Sequence, residues 1–172
     1  MNKQSTFEGC LPVCLLKDSG IPISKTKELG LIVHSLKFNK FDYSIGNLDL
    51  FAGRYKRNLA MVVENKYYAK FLKSINKNGK IEILNEPVNV ALINEYLKTG
   101  NVIVYLDCYY VGSKLHAPHF VMAMEMQKGK YKIFDPWDGK TKLIPVATIS
   151  RGIKSLRNTL RYTPKLIQVV KT

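Results

Sequence analysis

Acidic residues are scarce: 13 Asp and Glu stand against 27 Lys and Arg in a chain of 172 residues, for a formal net charge of +14. An excess of that size draws a protein toward polyanions such as nucleic acid, anionic membrane surfaces or acidic substrates, and does not set a fold. The cations are spread along the chain, from Lys25 and Arg54 to Lys128 and Arg161, so no basic tail forms and only nonspecific electrostatic attraction is implied. Cysteine is scarce as well. Cys10, Cys14 and Cys108 are odd in number and share no C-x-x-C spacing, which argues against a disulfide framework and a structural zinc site. No apolar run nears the roughly eighteen residues that cross a bilayer, so no transmembrane segment is expected. The opening MNKQSTFEGC is polar where a signal peptide would be apolar, which points to a soluble protein in the cytoplasm. Neither metal nor cofactor is needed to hold the fold: residues 1–172 suffice for a single domain burying about two-thirds of its extended surface.

What is present alternates between helical and strand periodicity. A helix opens near Cys10, with Pro12 in its first turn, and closes at Ser19-Gly20. Ser24 caps a second helix that runs through Glu28 and is stopped by Gly30, and residues 31–57 read as loop with one short helix. An apolar run at residues 59–63, a helix Lys66–Ile75, a hairpin-like break at Asn78-Gly79 and a strand at residues 80–84 follow. Val90, Ile93 and Leu97 fall at helical spacing, and Gly100 ends that helix. Strands are predicted at residues 102–110, 119–126 and 131–135, then an amphipathic helix at residues 149–160 and a last strand Lys165–Val170. The pattern predicts an α+β domain with N-terminal helices packed on an antiparallel sheet.

Thiol catalysis needs a thiolate, a base beside it, a group orienting that base, and donors for the developing oxyanion. A thiol at a helix N-terminus meets the positive end of the macrodipole and unpaired N–H groups, which favour the thiolate. Cys10 is so placed, whereas Cys14 lies one turn further in. Alone, Cys10 would be one more small buried residue. Gln4 lies six residues earlier, near enough for its amide to join the Cys10 N–H as an oxyanion donor. His119 stands directly before the apolar strand Phe120-Val121-Met122-Ala123-Met124, and Asp135 ends the next strand, where Pro136 stops the ladder. Gly129 breaks the two strands into a hairpin. A turn near residues 127–130 sets 119 and 135 roughly opposite each other, about 5 Å apart at Cβ. His119 then serves as base, and Asp135 holds its second nitrogen. His116 is the rival base, but Ala117 and Pro118 place it in the preceding loop. His34 reads as structural, and His116, His119 and Cys108 match no metal-ligand spacing.

These residues resemble a family, the bacteriocin-processing (double-glycine leader) peptidases of the papain-like cysteine peptidase superfamily. Gln4, five residues, then Cys10-Leu11-Pro12-Val13-Cys14-Leu15 is similar to that family's Q-x5-C-G-P-A-C-L motif. His119-Phe120-Val121, followed sixteen residues after the histidine by Asp135-Pro136, is similar to its H-[FY]-V…D-P motif. The resemblance implies a papain-like fold, Cys10 as nucleophile, His119 as base, Asp135 as orienting group and Gln4 as oxyanion donor. Trp137 resembles the tryptophan that shields the histidine's partner in papain-type enzymes. Two positions depart from the motif: Gly9 stands where the family usually has Asp, and Leu11 where it usually has Gly, which is expected to narrow the approach to the thiol.

The function expected is a cysteine peptidase that cleaves a peptide or protein substrate through an acyl-enzyme on Cys10. Two alternatives stay open at this level. An acyl or peptidyl transferase would use the same Cys-His-Asp site, because both reactions share the acyl-enzyme. A nonenzymatic basic module for nucleic acid or a membrane surface would leave Cys10 dispensable.

Overall fold

The structure is a computed structural model that describes residues 3–38 and 42–170. Its helices are α1 (Cys10–Asp18), α2 (Lys25–Phe38), α3 (Tyr43–Tyr55), α4 (Lys66–Ile75), α5 (Val90–Leu97) and α6 (Val146–Asn158). Its strands are β1 (Asn58–Val63), β2 (Ile81–Leu84), β3 (Val102–Asp107), β4 (Pro118–Gln127), β5 (Lys130–Asp135), β6 (Lys140–Pro145) and β7 (Lys165–Val170). They form one seven-stranded sheet in the order β2-β1-β7-β3-β4-β5-β6. Only the β1–β2 pair is parallel. The fold is α+β, with a mostly antiparallel sheet, and none of the described helices is long and apolar enough to cross a membrane.

Both faces of the sheet are covered, so its central strands are apolar on both sides. On one face Met61, Ile103, Phe120, Met122, Phe134 and Ile167 pack against Leu11, Leu15, Leu31, Leu48 and Phe51 of α1, α2 and α3. The alternate residues, among them Val62, Val104, Val121, Ile133 and Leu166, meet Leu92, Ile93, Ile149 and Ile153 of α5 and α6. The start of β4 therefore lies between two packed layers, with α1 pressed against it.

The largest correction to the sequence reading falls between residues 30 and 57. Gly30 does not end the second helix: α2 continues to Phe38, and α3 occupies Tyr43–Tyr55 where loop and one short helix were expected. Residues 39–41 of that expected loop lie outside the described residues. A glycine costs a helix only about 1 kcal/mol, less than burying Leu31, Ser35 and Leu48 at a helix pair returns. The two helices approach closely where Gly46 faces Ser35: a Cβ at 46 would lie 2.7 Å from the Ser35 Cα. Asp42 caps α3 by accepting the Ile45 N–H at 2.8 Å.

Other differences are smaller. Asn78-Gly79 does not form a hairpin, because α4 carries the chain across and β2 returns parallel to β1. The strand expected to reach residue 110 stops at Asp107, whose side chain accepts the Tyr109 N–H at 3.1 Å and starts a 3-10 turn, Cys108–Val111. β6 was not anticipated. Its sequence, KTKLIP, is half polar, with two lysines in six residues, and as the edge strand it stays largely exposed.

Two glycines of α3 should respond oppositely to the same methyl group. Gly46→Ala meets the Ser35 backbone and should destabilise the protein by about 1–3 kcal/mol. Gly53→Ala meets nothing within 4 Å and should stabilise by about 0.5–1 kcal/mol through helix propensity. Urea unfolding of both variants measures the difference.

Candidate active site

Cys10 opens α1 directly after a 3-10 turn, Phe7–Gly9, and is 8% exposed. The residues leading to it are tied down at two points. The Gln4 N–H donates to the Pro136 carbonyl at 2.8 Å, joining this segment to the loop after β5. Glu28, fully buried, accepts the Ser5 N–H with both oxygens at 2.8 and 2.9 Å, and its Oε1 also accepts the Thr6 N–H at 3.1 Å. The same oxygen excludes any side chain at position 9, since a Cβ on Gly9 would lie 1.9 Å from it. That accounts for glycine where the resembled motif has aspartate. Leu11 is fully buried in the core.

His119 and Asp135 come from β4 and β5, and a β-bulge decides whether they meet. Near the turn, Gln127 faces Lys130 and Glu125 faces Lys132; past Met124 the register has shifted so that Ala123 faces Ile133 and Met122 faces Phe134. Continued, the shifted register sets Asp135 opposite Val121, on the face that His119 shares. The unshifted register would set Asp135 opposite Met122, on the other face, because a one-residue slip inverts every side chain. The pair is diagonal instead of directly opposite, as the sequence alone had suggested. Its side chains still meet: His119 Nε2 lies 2.9 Å from Asp135 Oδ1, with both residues buried.

A carboxylate accepts only, so Nε2 carries the proton of that bond. The Cys10 side chain lies near enough to this ring to act on its titration. Asp135 Oδ1 accepts the Trp137 N–H at 3.0 Å, and Oδ2 accepts from Lys142 Nζ at 2.7 Å. Lys142 is further held by Asp138 at 2.9 Å and the Val111 carbonyl at 3.2 Å. Sequence reasoning missed Lys142 because it missed β6, and missed Glu28 because nothing local marks a carboxylate whose partners lie 22 and 23 residues away. Trp137 meets the His119 ring edge-on at 6.4 Å and Phe7 at 5.8 Å.

Burial pushes the His119 imidazole toward neutrality, but the hydrogen bonds to Asp135 and Cys10, with the charges of both, outweigh it and raise its pKa from 6.5 to about 9. Burial pushes the Asp135 carboxyl upward, and His119, Lys142 and the Trp137 N–H reverse that, bringing it from 3.8 to about 2. At neutral pH the site therefore holds an imidazolium on an ionised carboxylate. Burial, then the charges of Cys10, Asp135 and Asp18, push the Cys14 thiol well above its usual range, which leaves Cys14 inert.

Gln4 sits in the site but is turned to another task. Its Nε2 donates to the carbonyls of Thr6 at 2.7 Å and Phe7 at 3.1 Å, and its Oε1 is buried without a partner. Both amide protons thus pin the loop before Cys10. His116 is kept away from the site by Asp107, which it meets at 2.6 Å, and by stacking on Tyr109 at 4.3 Å. Asp107 also accepts from Ser155 Oγ at 2.7 Å, so this cluster holds the loop at residues 108–117 onto α6. His34 pairs with Asp49 at 3.2 Å on the helical side of the molecule. Among the described residues no group of three or more His, Cys, Asp or Glu could hold a metal ion.

No protein-family model and no curated protein matches this chain. The site's meaning rests on its own geometry.

The linkage has a definite sign. Raised to about 9, His119 stabilises the fold fully below 6.5 and loses that contribution as pH climbs through about 9. Lowered to about 2, Asp135 stabilises above 3.8 and loses that contribution as pH falls through about 2. In NMR titrations of the imidazoles, His119 should titrate near 9 in the wild type, and markedly lower in Asp135→Asn. An unchanged midpoint in that variant would contradict the assigned cause.

Proposed function

We propose that this protein is a cysteine peptidase of the papain-like superfamily, similar to the double-glycine leader peptidases. The observation that carries this reading is the buried His119–Asp135 pair on the adjoining ends of β4 and β5, with the Cys10 side chain at the head of α1 near enough to act on the imidazole. A nucleophile-bearing helix laid against an antiparallel sheet that supplies the histidine and the aspartate also supports the papain-like assignment.

In this reading the Cys10 thiolate attacks the carbonyl carbon of a peptide bond, and the carbonyl oxygen takes up the charge. The Cys10 N–H, at the head of α1, faces that oxyanion. The C–N bond breaks as His119 gives its proton to the leaving amine, and a thioester on Cys10 remains. His119, now neutral, takes a proton from water; the hydroxide adds to the thioester, and the acid product leaves as the thiolate re-forms. Asp135 keeps the ring in one tautomer and balances the imidazolium at both ends of the cycle, and Lys142 keeps Asp135 in place. Gln4 serves the oxyanion by exchanging its longer bond, to Phe7, for one to the substrate oxygen.

Incubation with a peptidyl epoxide followed by peptide mapping should place the adduct on Cys10 and not on Cys14. Cys10→Ala should lose both the adduct and peptide turnover, while Cys14→Ala keeps both; equal labelling of the two variants overturns the assignment. Gln4→Ala should lower kcat by about 10²–10³ if the residue donates to the oxyanion. A fall in thermal stability with unchanged kcat would restrict Gln4 to pinning the loop.

A further inference from the structure

Two clefts flank the site, and they share no residue. One, of about 320 Å³, is lined by Phe7, Leu115, His119, Asp135, Trp137 and Lys142 among others. The other, of about 380 Å³, is walled by Tyr43, Tyr68, Tyr105, Phe120 and Tyr162, with Lys165 in it. The second reaches the segment that carries Cys10: the Tyr43 hydroxyl donates to the Glu8 carbonyl, two residues before Cys10, and Phe120 follows His119 in β4.

The chemistry assigns the two sides. His119 must hand its proton to the leaving amine, so the leaving group occupies the cleft that His119 lines. The acyl portion of the substrate then enters the tyrosine-walled cleft.

That cleft holds two cations and one carboxylate. Asp42, 4% exposed, is fully engaged: Oδ1 accepts from the Ile45 N–H, and Oδ2 accepts from Lys165 Nζ at 2.7 Å and from the Tyr68 hydroxyl. Lys165, 6% exposed, donates to Asp42 and at 3.1 Å to Ser44 Oγ. Its Nζ also lies over the rings of Tyr68 and Tyr105, 5.1 and 5.7 Å from their centroids. Arg161 stands exposed at the rim, held by a left-handed backbone of φ 62°. Arg161 is therefore the cation of this cleft that is not spent on Asp42, beside aromatic walls that exclude water from one side.

We propose that this cleft is the acyl-side specificity pocket and that it selects a substrate residue bearing a side-chain carboxylate, received by Arg161. The proposal rests on the peptidase reading and extends it to a substrate class.

The test uses peptide libraries matched in pairs, with Glu or Gln at each of the four positions preceding the cleaved bond, and reads kcat/KM. The wild type should prefer Glu over Gln by about tenfold or more at one position, the worth of one charge-assisted hydrogen bond. Arg161→Asp, which an exposed left-handed position tolerates, should remove that preference. Lys128→Asp changes net charge equally at another exposed left-handed position, φ 46° in the β4–β5 turn, and should keep it. Equal rates for every Glu and Gln pair, with turnover still dependent on Cys10, overturn the pocket assignment and leave the peptidase reading standing. A preference spread over all positions and insensitive to Arg161→Asp also overturns it, since the overall positive charge then accounts for the effect. Failure of Cys10-dependent turnover for every peptide removes the peptidase reading and the pocket with it.

Discussion

A carboxylate taken out of water must find donors for both oxygens, and Asp135 is where this molecule meets that demand. Its three donors come from three places: His119 on the neighbouring strand, Lys142 on the edge strand, and the N–H of Trp137 just past the end of its own strand. Removing any one leaves part of a buried charge uncompensated, which costs far more than the lost bond is worth in water. The three-stranded end of the sheet is thereby fixed around one group, and the imidazole orientation follows from it. The proton that His119 retains through neutrality is a by-product of the same arrangement.

A second buried carboxylate does the corresponding work for the thiol. Among the described residues Glu28 has no cationic partner; its oxygens are satisfied by the backbone of Ser5 and Thr6 and by the Thr6 hydroxyl. It fixes the segment before α1 as Asp135 fixes the segment after β5, and the Gln4–Pro136 hydrogen bond closes the two segments on each other. Cys10 and His119 thus arrive from distant parts of the chain, yet each is seated by a carboxylate that nearly fills its hydrogen-bonding capacity with protein groups.

How much of this was legible in the sequence depends on where the deciding interactions lie. The start of α1 at Cys10, the helix Lys66–Ile75 and the strand Lys165–Val170 were readable because capping, periodicity and breakers are local signals. The candidate site residues were readable from position along those elements, and the structure brings Cys10, His119 and Asp135 together. The α2–α3 pair was not readable, because Gly30 and Gly46 look like breakers until the close approach to Ser35 is known. Lys142 and Glu28 were invisible for the same reason: their partners lie far along the chain or on a strand with no apolar alternation. The bulge at Met124 is the subtlest case. The hairpin was foreseeable, but the inserted residue that puts the histidine and aspartate on one face has no mark in PHFVMAMEMQ.

The place of β7 in the sheet carries a consequence for how the protein comes into being. β7 lies between β1 and β3, and it is the only strand that joins the β2–β1 pair to the four strands from β3 to β6. Chains emerge from the ribosome N-terminus first. Cys10 is therefore made before residues 165–170, which join the two parts of the sheet and follow the other six described strands. Until they insert, the sheet exists as two separate pieces with open edges and the helical layer has no continuous floor. The Cys10 thiol is thus made well before the strand that makes the sheet continuous, and its arrangement with His119 and Asp135 rests on a continuous sheet only once translation has passed β7.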